Sequence, residues 1–186
     1  MKIAKTIKGK NCSLKLFEKD DKNLLECINK VFHDENITGL LNPAYPLQSN
    51  KRKVSAWIRK CVENPVEYWY AILSGRTYIG YVCFKWKKHY DKACEVSTAM
   101  LSEFRGLKLG FESSKILVDY IGTLGKFDYA VAFSSKNNKK AQNNLRKIGF
   151  RKSKRLFKVI EKEFYNENEP NPHDSKYILL AYNFNR

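Results

Sequence analysis

RGLKLGF, from Arg105 to Phe111, and NKKAQNNLRKIGF, from Asn138 to Phe150, are the two stretches whose reading decides the fold. In the first, Gly106, Leu107, Lys108, Leu109 and Gly110 lie between a strand-like run and a helical one, so the segment reads as a glycine-bearing turn that opens a helix. The second begins with Asn138, a good helix N-cap, and ends at Gly149, where a left-handed glycine stops a helix and Phe150 enters the core. Backbone N–H groups at a helix N-terminus lack intrahelical acceptors, and the aligned peptide dipoles draw anions there. Arg105 to Phe111 is therefore a candidate pyrophosphate site, in competition with an ordinary strand-to-helix turn whose glycines serve only backbone geometry. It matches neither the P-loop nor the Rossmann glycine pattern.

Working outward, Ala93 to Leu101 reads as the strand before the turn, and Ile116, Leu117, Tyr120 and Ile121 as the buried face of the helix after it. Phe127 to Phe133 follows as a strand. Upstream, Tyr68 to Leu73 and Thr77 to Trp86 are β-branched and aromatic runs separated by Ser74, Gly75 and Arg76, which signals a hairpin. Tyr68, Trp69 and Tyr70 are read as alternating core and face residues of a strand and not as a stacking platform for bases. Cys12 to Phe17 alternates as a first strand. Asp20 or Asp21 caps a helix carrying Leu24, Leu25, Ile28, Val31 and Phe32, and a second helix presents Val54, Trp57, Ile58 and Cys61 and stops before Pro65. Asn36 to Asn50 is irregular, marked by Pro43 and Pro46. Arg151 to Ile160 and Lys176 to Phe184 read as closing strands around an acidic loop, Glu161 to Ser175. Strands with interspersed helices that end in a hairpin indicate an α/β or α+β domain on a mixed sheet.

With 186 residues and 43% hydrophobic content the chain suits a single domain, residues 1–186, with a full core. Its net charge of +16 favours a polyanionic partner, yet the basic residues are scattered, and Lys outnumbers Arg 27 to 8 as A/T-rich codon usage would give. A nucleic-acid-binding module is thus the rival from another functional class. Cys12, Cys27, Cys61, Cys83 and Cys94 lack paired spacing, so they read as reduced, buried thiols and not as a disulfide framework or a zinc site. His33, His89 and His173 show no metal-ligand spacing. No apolar run approaches the roughly 20 residues that span a bilayer, and Met1 to Lys10 is charged where a signal peptide is apolar, so a cytoplasmic location is expected.

Arg105, Gly106, Gly110, Glu95, Glu112 and the series Asn138, Leu145, Lys147, Gly149 and Phe150 together resemble the acetyl-CoA signature of the GNAT superfamily of N-acetyltransferases. They are most similar to its ribosomal-protein branch. Lys108 stands where that pattern has its central glycine, and Ala141 where the branch often has serine. The resemblance implies a mixed, mostly antiparallel central sheet with helices on both faces and acetyl-CoA as co-substrate, without a metal. Arg105 to Phe111 would hold the pyrophosphate. The strands flanking the turn would splay, with the pantetheine arm along Ala99, Met100 and Leu101, and Asn138 would contact the cofactor while also capping its helix.

In such an enzyme the acceptor amine attacks the thioester directly, so the protein must orient it, take its proton and stabilise the oxyanion. The resemblance makes Glu95 the candidate base, acting through a water; a solvated strand residue or an ion pair with Lys92 is the alternative. Family members often place a tyrosine acid where this chain has Leu145, and Ala141 cannot donate a proton either, so the acid is unassigned. The implied acceptor is a primary amine, either a protein N-terminus or a small molecule, and the acidic loop from Glu161 could attract it if it is cationic.

Overall fold

Asp21 begins the first helix of the computed structural model, which describes residues 2–42, 44–86, 92–153 and 177–185. Its carboxylate accepts from Leu24 N at 3.0 Å and caps α1 (Lys22–His33), which buries Leu24, Cys27, Ile28, Val31 and Phe32 at helical spacing. Asn50 caps α3 (Lys51–Glu63) in the same way. Between them α2 (Glu35–Thr38) forms a single turn in the segment expected to be irregular. The strands are β1 (Thr6–Lys8), β2 (Ser13–Leu16), β3 (Glu67–Ser74), β4 (Thr77–Lys85), β5 (Ala93–Met100), β6 (Tyr129–Ser135), β7 (Arg151–Lys152) and β8 (Tyr177–Asn183). Helices α4 (Leu109–Thr123) and α5 (Lys139–Ile148) complete the set. The strand order is β1-β2-β3-β4-β5-β6-β8-β7, in a mixed, mostly antiparallel sheet.

The chain divides into two compact units, Met1–Phe84 with Ser97–Tyr120, and Lys85–Val96 with Ile121–Arg186. In the first, Trp69 and Ala71 of β3 join a core with α1 and α3 in which Phe17, Tyr45, Trp57 and Tyr81 surround Trp69 and Phe32 packs on Trp57. Successive strand residues face opposite sides. Tyr70 accordingly turns the other way, with its hydroxyl donating to Ala4 O at 3.0 Å and its ring 6.4 Å from Tyr120 of α4. Helices therefore cover both faces of this part of the sheet.

The buried face of α4 differs from the expected one. Leu117, Val118 and Ile121 are buried, while Ile116 and Tyr120 are half-buried. The tyrosine hydroxyl explains part of the rotation: it accepts from Ala4 N at 2.8 Å and so stays near the edge of the core. Ile116 lies against the β1–β2 turn, where a Cβ on Gly9 would fall 2.2 Å from its Cδ1.

In the second unit β6 pairs antiparallel with β8 along its whole length, from Tyr129↔Asn183 to Ser135↔Tyr177. This pairing carries β6 two residues beyond the expected end at Phe133. Fully buried Phe150 packs 5.6 Å from Tyr182. Gly149, at φ 123°, ends α5 with its N–H donating to Leu145 O and Arg146 O, and Phe150 N also donates to Leu145 O. The part of the expected strand after Ser153, the acidic loop Glu161 to Ser175 and Lys176 at the start of the other closing strand lie outside the described residues.

Candidate functional site

Gly80 of β4 sets the course of the strand that leads to the site. A Cβ there would stand 2.3 Å from Ala99 O and 2.7 Å from Met100 Cα, so a glycine is needed for β5 to pass this close. Leu101 N donates to Ile79 O at 2.9 Å and extends the contact by one residue. Ala99 and Leu101 are buried in the core, whereas Met100 turns away, with its Cε 3.5 Å from the position of a Cβ on Gly110. The strand end and the helix-opening turn are thus brought together, as the sequence implied.

Beyond Leu101 a short 3-10 turn (Ser102–Phe104) hands the chain to the loop. Ser102 N donates to Asp34 Oδ2 at 2.9 Å, and the other oxygen of Asp34 accepts from Asn36 N at 3.0 Å and Asn36 Nδ2 at 3.2 Å. Arg105 Nη2 donates to Asn36 O at 3.1 Å. Burial pushes the Asp34 carboxyl up, but the hydrogen bonds from Ser102 and Asn36 outweigh it and hold the group below the ordinary carboxylate value.

The loop itself is exposed from Arg105 to Lys108, with Leu107 61% accessible, and Leu109 re-enters the core. Gly106 has φ 89° and Lys108 φ 61°, so the lysine occupies a conformation that glycine adopts freely and other residues adopt at a cost. Lys108 O accepts from Glu112 N at 3.0 Å and closes the first turn of α4. None of the six N–H groups from Gly106 to Phe111 donates to a described residue. Those groups, the helix dipole and the ammonium of Lys108 form a concentrated positive terminus suited to a phosphate or pyrophosphate.

Glu112 serves the scaffold. Its two oxygens accept from Asn11 N and Asn11 Nδ2, each at 2.7 Å, which ties the β1–β2 turn to α4. Burial raises its pKa, and the bonds from Asn11 and its neighbours bring it below the ordinary value. Ser113 and Ser114 both donate to Gly110 O, and the Ser114 hydroxyl lies 2.8 Å from that of Thr98 on β5.

Glu95 and Asn138 belong to the second unit. Half-buried Glu95 is opposite Val131 in the parallel β5–β6 ladder, which runs from Ala93↔Tyr129 to Glu95↔Val131 and stops there, while β6 continues beside β8. Lys92 lies 3.5 Å from Asp128. Asn138 caps α5 by accepting from Ala141 N at 3.1 Å, and its Nδ2 has no acceptor among the described residues. Buried Gln142 donates to Ser135 O and Lys136 O and fixes the turn before the cap. A cavity of about 510 Å³ at the other end of α5 is lined, among the described residues, by Arg146, Lys147, Arg151 and Lys152, none of which is suited to acyl chemistry. Among the described residues, no helix is long and apolar enough to cross a membrane.

Residues 13–151 match the family described as the acetyltransferase (GNAT) domain. The chain belongs to this family. No curated protein matches the sequence. Among solved structures, this GNAT acetyltransferase is similar to one from Bacillus anthracis, with a TM-score of 0.72 at 12% identity, covering 97% of this chain and 99% of the other. It is also similar to a ribosomal-protein alpha-N-acetyltransferase solved with coenzyme A, with a TM-score of 0.75 at 11% identity and coverage of 96% and 97%. A third is a ribosomal-protein alanine acetyltransferase from Vibrio fischeri, with a TM-score of 0.72 at 14% identity and 97% of each chain covered. The family resemblance read from Glu95 to Phe150 is thereby borne out, and the structural likenesses extend it to the fold.

Sequence reasoning missed Asp34, Asn36, Ser102 and Gly80. Asp34 followed by Glu35 carries a helix-start signal that could have located the turn of α2. Its bond to Ser102, 68 residues away, leaves no local signal.

Proposed function

We propose that this GNAT acetyltransferase transfers the acetyl group of acetyl-CoA to a primary amine, with protein N-termini the first acceptors to test. The observation that carries the reading is the run of six N–H groups from Gly106 to Phe111 that meet no acceptor among the described residues, with left-handed Gly106 and Lys108 at the start of α4. A pyrophosphate is an anion that such a terminus accommodates. The loop's open side at Gly106, where a Cβ would meet nothing within 4 Å, is consistent with a close approach.

When bound, acetyl-CoA supplies a thioester whose carbonyl carbon is the electrophile. The residues of this chain would do the rest. Arg105 to Phe111 hold the phosphates, and Ala99, Met100 and Leu101 present a strand end along which an amide-bearing arm can pair. Glu95 takes the amine proton through a water, and Asn138, whose Oδ1 is committed to the α5 cap, donates from Nδ2. Ala141 and Leu145 carry no ionisable group. A thiol leaves as a thiolate far more readily than an alcohol leaves as an alkoxide, so the step does not require a side-chain acid at those positions. Protein N-termini come first because the coenzyme A-bound neighbour and the Vibrio fischeri neighbour are described as acting on ribosomal proteins.

A thiol-release assay with acetyl-CoA against free-N-terminus peptides and small amines tests the reading. Thiol release matched by acetylated product from one acceptor class supports it; no turnover with any acceptor, together with no acetyl-CoA binding, overturns it.

A further inference from the structure

Between the end of β5 and the exposed loop, one backbone N–H is met by a side chain from far away in sequence. Leu101 N donates to Ile79 O, Phe104 N to Leu101 O and Arg105 N to Ser102 O, all backbone partners. Ser102 N instead donates to the carboxylate of Asp34 at 2.9 Å. The same carboxylate caps α2 through Asn36 N, and Asn36 O receives the guanidinium of Arg105 at 3.1 Å. Asp34, Ser102, Arg105 and Asn36 therefore form a closed circuit of hydrogen bonds. It grips the chain immediately before the six unmet N–H groups.

The circuit matters because the loop that follows has little else to define it. Arg105 to Lys108 are exposed, and Lys108 among them holds a left-handed φ angle that a free loop would leave. A charge-assisted bond at the point of entry removes alternative paths, so less ordering remains to be done when an anion arrives. We propose that Asp34 is a positioning residue for the acetyl-CoA loop, acting through Ser102 and Arg105 without touching the cofactor. This rests on the acetyl-CoA reading above.

Two variants separate positioning from simple support. Asp34→Ser keeps a short side-chain oxygen for the α2 cap but cannot serve Asn36 and Ser102 at once. Ser102→Pro deletes the N–H donor, and with it the hydroxyl that also bonds Asp34, from the other side. Leu101, at φ −49° and ψ 137°, has the extended backbone that a following proline requires, and position 102 opens the 3-10 turn. Asn50→Ala, which removes the α3 cap, is the control for lost stability alone.

Acetyl-CoA affinity is read by titration calorimetry and stability by thermal melting, on the full chain. Each variant should weaken acetyl-CoA binding about tenfold, as expected when a charged hydrogen bond that preorganises a site is lost. The double variant should be no weaker than either single one, because both cut the same bond. Asn50→Ala should lower Tm with affinity unchanged. Affinity within twofold of wild type in both single variants, whatever their Tm, or a fully additive double variant, overturns the proposal. Wild-type protein that does not bind acetyl-CoA overturns the cofactor reading itself and this inference with it.

Discussion

Replacing Lys108 separately by Ala and by Gly divides its two contributions to the loop. At φ 61° any residue with a Cβ is strained, by roughly 1–2 kcal/mol for a single position, whereas glycine is not. Lys108→Ala removes the ammonium but keeps the Cβ, and Lys108→Gly removes both, so the two variants differ from each other only in the Cβ. Glycine also loses more entropy on folding, and at a left-handed site the strain outweighs that loss, leaving the Gly variant about 1 kcal/mol more stable than the Ala variant. For a domain of this size that is a Tm difference of about 2–4 °C. The ammonium is exposed, so its attraction for a phosphate is worth at most about 1 kcal/mol and its loss weakens acetyl-CoA binding by roughly two- to fivefold. That deficit should shrink towards nothing at about 0.5 M salt, as the Debye length contracts. Thermal melts of the three proteins and acetyl-CoA titrations at two salt concentrations check both parts. An Ala variant as stable as the Gly variant would refute the left-handed assignment.

Gly80→Ala should cost about 3 kcal/mol, because the new methyl meets backbone at Ala99 O and Met100 Cα and not a movable side chain; a Tm fall of about 6–12 °C is expected, and a fall under about 2 °C would contradict it. For Glu112→Gln, the folded-state pKa of the native carboxyl is lowered, so its contribution is complete above the unfolded value of 4.5 and is lost as pH falls through the folded one. Unfolding in urea at pH 7 and at about pH 3.5 should therefore show wild type ahead by about 1 kcal/mol at the higher pH and by less at the lower, and a gap that widens on acidification would be the contrary result.

Much of this architecture was legible because it rests on local chemistry. Asp21 and Asn138 each cap a helix, and the β3–β4 hairpin turns at Gly75 with φ 59°, all readable within a few residues of sequence. What was not legible depends on partners distant in the chain. The rotation of α4 towards Val118 follows in part from Tyr120 bonding Ala4, and the extension of β6 to Ser135 follows from β8. The site divides in the same way. Arg105 to Phe111 carries its own signal in its glycines and its place before a helix, whereas Asp34 and Gly80 take their meaning from Ser102, Ala99 and Met100, which the fold brings beside them. Lys108 looked like a departure from the glycine pattern, yet its backbone takes the left-handed conformation that a glycine would favour.

The most direct test is an amide chemical-shift titration of isotopically labelled protein with acetyl-CoA. If the exposed terminus of α4 receives the pyrophosphate, the six amides from Gly106 to Phe111 should show the largest saturable shifts, because their unmet N–H groups acquire acceptors. Saturable binding of acetyl-CoA that leaves those six amides unmoved would contradict the account.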